Sequence, residues 1–163
     1  RGGKICEGFD YGNSPSQLEG ADLKGKTVVH TTSAGTQGLF GAKYAEEILG
    51  ASLLNAKATA KYIAKSGYTD VSLVCMGLAG KENTEEDLLC AEYIKAMLEN
   101  KSYPLEEKIK DLQFTSGAKF FDPAQQEVFP EKDFHICTQA DRFDFVLKLV
   151  KTGQDIPHIA KGE

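Results

Sequence analysis

The sequence predicts an α/β protein, a three-layer α/β/α domain with a mostly parallel sheet. Short apolar runs rich in β-branched residues alternate three times with helical patterns, an order typical of parallel strand–helix units. Turns rich in glycine and hydroxyl side chains follow the apolar runs. The length of 163 residues and the hydrophobic content of 41% match one globular domain over residues 1–163. Ligands in such sheets bind beyond the carboxyl ends of the strands.

The predicted strands are short apolar segments bounded by glycine or polar residues. They span Lys26–Thr32, Ile48–Leu53 and Val71–Met76, and Val28 and Val29 are expected to be buried. Each strand is followed by a segment with helical periodicity. These helices are predicted over Gly38–Glu47, Asn55–Lys65 and Thr84–Glu99.

The last of these helices has the clearest apolar stripe, and the region after Pro104 has weaker signals. The predicted buried stripe consists of Leu88, Ala91, Ile94 and Leu98. After Pro104 we expect a helix over Leu105–Leu112, a strand over Phe134–Ile136 and a helix over Phe143–Leu149. A solvated helix face is predicted for Asp141, Arg142 and Asp144.

Residues 31–36, TTSAGT, form the first candidate binding turn. Backbone N–H groups at a helix start, together with hydroxyl groups, bind an anion without a basic side chain. The same composition also follows from helix capping alone, so both interpretations stand. The groups that would contact a phosphate belong to Thr31, Thr32, Ser33, Gly35 and Thr36.

Two further polar segments could complete such a site. Loop 7–15, EGFDYGNSP, contains Asp10, which can bind Mg²⁺, and Asn13 and Ser14, which can donate to phosphate oxygens. Turn formation alone also accounts for this loop. Asp87 lies in an acidic helix start, where carboxylates also favour the helix dipole without any ligand.

These segments, taken together, resemble the 2-phosphosulfolactate phosphatase family. EGFDYGNSP, VVHTTSAGT, ILGASLLNAKATA and VCMGLAGKENTEEDLLCAE occur in that order and are similar to the family patterns GFDxGNSP, TTTNGT, GSFLNA, CAG and SxEDxLCAG. The tail FPEKDFHICTQADRFDFVLK is similar to the closing segment of the family. Family members carry a further N-terminal portion before Arg1, so the resemblance implies a domain without that part.

The resemblance implies a Mg²⁺-dependent phosphatase that hydrolyses a small phosphorylated acid, 2-phosphosulfolactate or a related 2-phospho acid, in coenzyme M synthesis. It assigns Asp10 and Asp87 as catalytic residues and metal ligands. Three positions depart from the family pattern, since Ala34, Leu78 and Ala79 stand where polar groups are usual. A non-catalytic or repurposed anion-binding domain of the same fold is therefore the alternative.

Charge and cysteine content limit the partners. The net charge is −5 without a basic run, so nucleic acid is not expected as a partner. The longest uncharged apolar stretch is too short to span a bilayer, so no membrane association is expected. The four cysteines show no metal-ligand spacing, which favours reduced thiols and a cytoplasmic protein. A homodimer is compatible with the sequence.

Overall fold

The computed structural model describes residues 3–151 and 157–162. Within these residues it contains six α-helices, three short β-strands and three 3₁₀ turns. The helices are α1 (Pro15–Leu18), α2 (Gly35–Gly41), α3 (Ala56–Ser66), α4 (Glu85–Leu98), α5 (Leu105–Leu112) and α6 (Glu131–Cys137). The strands are β1 (Leu49–Gly50), β2 (Val146–Val150) and β3 (His158–Gly162), and the 3₁₀ turns are Leu53–Asn55, Ala118–Phe121 and Pro123–Gln125.

The sheet of the described residues is antiparallel, so the predicted three-layer α/β/α architecture with a mostly parallel sheet is wrong. Its strand order is β1–β2–β3, and both pairings are antiparallel. Lys148 lies opposite Leu49 and also opposite Ala160. The predicted helix over Phe143–Leu149 is largely strand β2, because a short apolar run fits a strand and a helix equally well until its neighbours are known.

Two predicted strands are missing for the same physical reason. Residues 26–32 and 71–76 are not paired as strands within the described part of the chain. A strand persists only where a neighbour takes up its backbone hydrogen bonds. Val28 and Val29, expected to be buried, are 63% and 86% exposed. The β-branched residues indicated a local preference for strand, but they carried no information on a partner strand.

The helices with strong periodicity were predicted well. Helices α3, α4 and α5 match the prediction within two residues, whereas α2 starts three residues earlier and ends six earlier than predicted. Of the predicted buried stripe, Ile94 and Leu98 belong to the cluster between α3 and α4, whereas Leu88 is exposed; Cys90, Tyr93 and Met97 also pack there. The predicted strand Phe134–Ile136 lies within helix α6.

Contacts divide the chain into two compact units, and each is described here by itself. The first unit comprises Arg1–Val29 and Glu106–Gln139. Its core is aromatic: the rings of Phe121 and Phe134 lie 5.0 Å apart between centroids, and Leu112 and Ile136 are buried. The prediction of a single domain over residues 1–163 stays a prediction.

The second unit comprises His30–Leu105 and Ala140–Glu163. Helices α3 and α4 pack through Ala56, Ala60 and Ile94, all of which are buried. Small alanine side chains allow the two helix axes to approach closely, and Leu73 of the extended segment 71–76 packs against the same cluster. Segment 71–76 thus packs against the helix pair, and the Gly77 amide that follows it donates to Asp87 in the first turn of α4.

Candidate functional site

The hydroxyl-rich turn at residues 31–36 is closed by its own side chains. The amide of Thr32 donates to the Thr36 hydroxyl at 3.2 Å, and the amide of Thr36 donates to the Thr32 hydroxyl at 3.2 Å. The Thr36 hydroxyl also donates to the Thr32 carbonyl at 3.1 Å. Two amides of the predicted phosphate site are therefore bonded within the turn, while Thr31 and Ser33 are exposed.

Helix α2, which follows this turn, lies against the extended segment 71–76. A Cβ atom placed on Gly38 would lie only 2.9 Å from Met76 Cε, closer than carbon atoms normally approach. The absence of a side chain at Gly38 thus permits the contact. It brings the threonine turn into the neighbourhood of the loop that begins at Gly77.

Loop 77–82 is tightly folded and is anchored by Asp87. The Gly77 amide donates to Asp87 Oδ2 at 2.7 Å, and the Leu78 amide donates to the Glu82 carbonyl at 2.9 Å. Gly77 has a φ of +59°, and a Cβ atom there would collide with the Glu82 carbonyl. Ala79, with a φ of +57°, adopts the same left-handed conformation without the freedom of glycine. The Asp87 carboxylate thus contacts loop 77–82, and Met76, which precedes this loop, contacts helix α2.

Two thiols lie close to Asp87, and their environment keeps them protonated. Burial raises the pKa of Cys90 to about 12, and the Asp87 charge adds to this effect. Burial, followed by the charges of Asp87 and Glu92, also raises the pKa of Cys75. The thiolate is the nucleophilic form of cysteine. The surroundings of these thiols therefore do not favour a cysteine nucleophile.

The remaining predicted site residues belong to the first unit. Asp10 and Asn13 are exposed, whereas Ser14 is only 5% exposed. The Ser14 and Ser16 hydroxyl oxygens lie 3.2 Å apart. The Ser16 amide donates to Asp133 Oδ1 at 2.8 Å. Ser14 is thus buried at the start of α1, and the buried Asp133 of α6 holds that start in place.

Sequence reasoning missed the roles of Asp133 and Asp141. Asp141 was predicted to lie on a solvated helix face, but it is half-buried, has a φ of +59° and lies outside any helix. Its Oδ1 accepts from the Lys57 amide at 2.8 Å and its Oδ2 from the Tyr93 hydroxyl at 2.7 Å. Both aspartates act through contacts more than 40 residues away in the chain, for which the local sequence offers no signal.

A shallow cavity of about 200 Å³ lies beside Asp141 in the second unit. It lies next to the first turns of α3 and is lined by Lys57, Ala58, Lys61, Asp141, Phe143 and Asp144. Its charged side chains are two ammonium groups and two carboxylates, so the lining is close to neutral. This balance distinguishes the cavity from the acidic loop and helix start around Asp87.

Comparison with known proteins identifies the class. The chain matches the family described as 2-phosphosulpholactate phosphatase over residues 1–152, and it belongs to that family. The family resemblance seen in the sequence is thereby confirmed, and the class of protein is a family of phosphatases. Among the described residues, no helix is long and apolar enough to cross a membrane.

Curated relatives support this membership. A probable 2-phosphosulfolactate phosphatase of Bacillus subtilis is 30% identical, over 94% of this chain and 67% of that protein. One of Caldanaerobacter subterraneus is 32% identical, over 95% of this chain and 70% of that protein. One of Thermotoga maritima is 32% identical, over 88% of this chain and 66% of that protein. The chain thus spans about two thirds of the length of these relatives.

Proposed function

We propose that this protein hydrolyses a small phosphate monoester, 2-phosphosulfolactate or a related 2-phospho acid, in a Mg²⁺-dependent reaction. Family membership supports the reaction class, and the names of the relatives support the substrate. The observation that carries the proposal is the contact between Asp87 Oδ2 and the Gly77 amide. This contact places a carboxylate beside a strained glycine loop, next to the segment that packs on helix α2.

The charge of this neighbourhood supports a requirement for a divalent cation. Residues 75–87 contain one basic side chain, Lys81, and four acidic ones, which are Glu82, Glu85, Glu86 and Asp87. A phosphorylated acid would be repelled by this surplus of negative charge. A bound divalent cation becomes the largest local charge and reverses that repulsion.

The available side chains fit Mg²⁺ as the cation. Mg²⁺ is commonly held by one or two carboxylates, with water and substrate phosphate as the other ligands. Among the described residues, no three His, Cys, Asp or Glu side chains form a metal-binding group, so an all-protein cage is not proposed. The family resemblance proposes Asp10 and Asp87 as the ligands, and within the second unit Asp87 is placed by its Oδ2, which accepts from the Gly77 amide. When bound, Mg²⁺ neutralises phosphoryl oxygens and acidifies a bound water.

The remaining groups have simpler proposed roles. In the second unit, the hydroxyls of Thr31, Thr32, Ser33 and Thr36 and the Gly35 amide are proposed to orient the phosphate. For Asn13 and Ser14 of the first unit, a contact with the phosphate or the substrate carboxylate is proposed from the family resemblance alone. Water attacks directly: its oxygen forms the new P–O bond, the ester P–O bond breaks, and the alcohol oxygen takes up a proton. The raised pKa values of Cys75 and Cys90 speak against a covalent cysteine route.

A second function, anion binding without catalysis, is favoured by one specific observation. Apolar Ala34, Leu78 and Ala79 stand at positions where the family pattern is polar. A protein of this kind would bind phosphate or sulfate but release no product.

The cellular context is proposed from the resemblance and from the cysteine pattern, which favours reduced thiols. Together they support a cytoplasmic enzyme in coenzyme M synthesis, and self-association as a homodimer is part of the same proposal. Sedimentation of the purified chain tests the dimer, and a monomer at micromolar concentration would contradict it.

Phosphate release from 2-phosphosulfolactate, measured with Mg²⁺ and with excess EDTA, separates the two functions. The expected result is turnover that EDTA abolishes and that Asp10→Asn lowers by more than about tenfold, or about 1.4 kcal/mol of barrier. Asp22→Asn is the matched control, because Asp22 is also an exposed aspartate of the first unit. Saturable phosphate binding without turnover would support the anion-binding function. Turnover that EDTA leaves unchanged would contradict the role of Mg²⁺.

A further inference from the structure

Asp141 has an unusual backbone conformation that its contacts must hold in place. Its φ is +59°, in the left-handed region that costs a residue with a Cβ atom roughly 1–2 kcal/mol. Aspartate is one of the few side chains that enter this region with some frequency. The residue lies in the loop between α6 and β2, and its conformation directs its polar groups at three separate segments.

These three contacts join parts of the second unit that are distant in sequence. The Asp141 amide donates to the Leu53 carbonyl at 2.9 Å. Its Oδ1 accepts from the Lys57 amide at 2.8 Å and its Oδ2 from the Tyr93 hydroxyl at 2.7 Å. One carboxylate thus fastens the first turn of α3 to the middle of α4, and the backbone of Asp141 fastens the 3₁₀ turn before α3.

The contact with Tyr93 matters because the buried cluster between α3 and α4 is apolar. Ala56, Ala60 and Ile94 form its buried centre. Apolar burial is non-directional and does not by itself fix how far one helix slides along another. A hydrogen bond to a charged acceptor is directional and stronger than a neutral one. Burial and the Asp141 carboxylate raise the pKa of Tyr93 to about 12, so the donor hydrogen is present at physiological pH.

Helix α4 connects this contact to the candidate site. Asp87 lies six residues before Tyr93 in the same helix, a rise of about 9 Å along the helix axis. Asp87 holds the Gly77 amide, and Tyr93 is held by Asp141. We propose that Asp141 is a positioning residue of this protein, which acts through Tyr93 to fix α4 and thereby the Asp87 carboxylate against loop 77–82. Its catalytic consequence rests on the phosphatase function proposed above.

The same helix offers a matched control. The Tyr103 hydroxyl donates to Glu92 Oε2 at 2.7 Å, the same chemistry at the same distance as the pair of Tyr93 and Asp141. Glu92, however, belongs to α4 itself, and Tyr103 lies in the short segment after that helix. This hydrogen bond therefore joins α4 to the segment after it rather than to α3. Tyr103→Phe removes the bond but keeps the ring, which lies 5.9 Å from the Tyr93 ring between centroids, and it should leave the site unchanged.

The test uses three substitutions of Asp141 that separate its backbone from its carboxylate. Asp141→Gly removes the carboxylate and keeps the left-handed conformation favourable. Asp141→Ala removes the carboxylate and also makes that conformation unfavourable. Asp141→Asn keeps the conformation and an acceptor for the Lys57 amide, and its amide group can donate to the Tyr93 hydroxyl. Tyr93→Phe removes the other partner, and it remains informative if an Asp141 variant fails to fold.

Two measurements are made on each variant of the full chain: kcat and KM for phosphate release at saturating Mg²⁺, and hydrogen exchange of the Gly77 amide. Asp141→Gly and Tyr93→Phe are each expected to lower kcat about tenfold with KM within about twofold, and to speed Gly77 exchange about tenfold. The double variant should lose no more than either single one. Asp141→Asn should recover most of both values, and Tyr103→Phe should match the wild type.

Wild-type kcat and Gly77 exchange in Asp141→Gly would overturn the proposal. Equal losses in Tyr93→Phe and Tyr103→Phe would overturn it too, because they would indicate a general effect on α4. If the wild-type protein releases no phosphate, the proposed function fails, and Gly77 exchange alone still decides whether Asp141 positions the site.

Discussion

The two turns of the second unit that carry the candidate site are held in different ways. Turn 31–36 is closed by two of its own threonines, since Thr32 and Thr36 exchange hydrogen bonds over four residues. Loop 77–82 instead depends on Asp87, a carboxylate on the following helix. The conformation of the first turn is held by its own residues, whereas the position of the second depends on the position of helix α4.

This difference distinguishes a phosphate-binding role from a cation-binding role, which the sequence alone placed in one site. A turn that satisfies its own amides has fewer of them left for a ligand, and its exposed hydroxyls become its main polar groups. A loop held by a carboxylate keeps negative charge at its base, where a cation can bind. We accordingly propose that loop 77–82 provides the metal side of the site and turn 31–36 its phosphate side.

The largest expected effect is that of Gly77→Ala on stability. Gly77 has a φ of +59°, and a Cβ atom there would collide with the Glu82 carbonyl. The alanine variant must therefore adopt a strained conformation and also shift its backbone. We expect a loss of about 3 kcal/mol or more in the free energy of unfolding, measured in urea. Gly80→Ala is the control, since its φ is +70° but no atom lies within 4 Å of the added carbon; it should cost about 1 kcal/mol. Equal losses in the two variants would show that the Glu82 contact is unimportant.

The next effect separates the charge of Asp87 from its hydrogen bond. Asp87→Asn keeps an acceptor for the Gly77 amide, so the free energy of unfolding should change little. Asp87→Ala should lose about 1–2 kcal/mol. Both should lower Mg²⁺-dependent phosphate release by more than about tenfold, because both remove the proposed metal ligand. Asp70→Asn is the control, an exposed aspartate of the same unit. Full activity in Asp87→Asn would limit Asp87 to a structural role.

A smaller loss is expected in the threonine turn. Thr36→Val removes the hydroxyl that bonds the Thr32 amide and carbonyl, while it keeps the shape of the side chain. The free energy of unfolding should fall by about 1 kcal/mol, and Thr36→Ser should restore most of it. A Thr36→Val protein as stable as the wild type would mean that the turn does not depend on its own side chains.

The smallest effect concerns Cys90, whose thiol should remain unreactive. Burial raises its pKa to about 12, so the thiolate is nearly absent at pH 8. Iodoacetamide at pH 8 should leave Cys90 unmodified in the native protein, as read by peptide mass spectrometry, and modify it after unfolding. The neutral thiol favours the folded state below the ordinary cysteine pKa, and this contribution is lost as the pH rises toward 12. Rapid native labelling would show that the core beside Asp87 opens.

Local sequence signals predicted the helices, whereas the strands and the long-range side-chain contacts depend on tertiary structure. The periodicity of α3 and α4 and the glycine at the end of α3, with its φ of +74°, depend on neighbouring residues, so the sequence revealed them. A strand at residues 26–32 would have needed a partner strand. The β2–β3 pair depends on its partners in the same way, and residues 143–149 taken alone predict a helix. Among the predicted site residues, Asp87 was assigned from the family resemblance, because its place at a helix start is equally explained by the helix dipole. Asp141 was missed because its partners lie 84 and 48 residues away.

Manganese binding, observed by NMR, tests the central assignment most directly. Mn²⁺ takes the oxygen ligands of Mg²⁺ and broadens the amide signals of nearby residues. Substoichiometric Mn²⁺ should broaden Gly77 and Asp87 first, excess Mg²⁺ should reverse the broadening, and Asp87→Ala should abolish it. Sharp Gly77 and Asp87 signals, with broadening confined to the acidic start of α5 at Glu106 and Glu107, would contradict a metal site at loop 77–82.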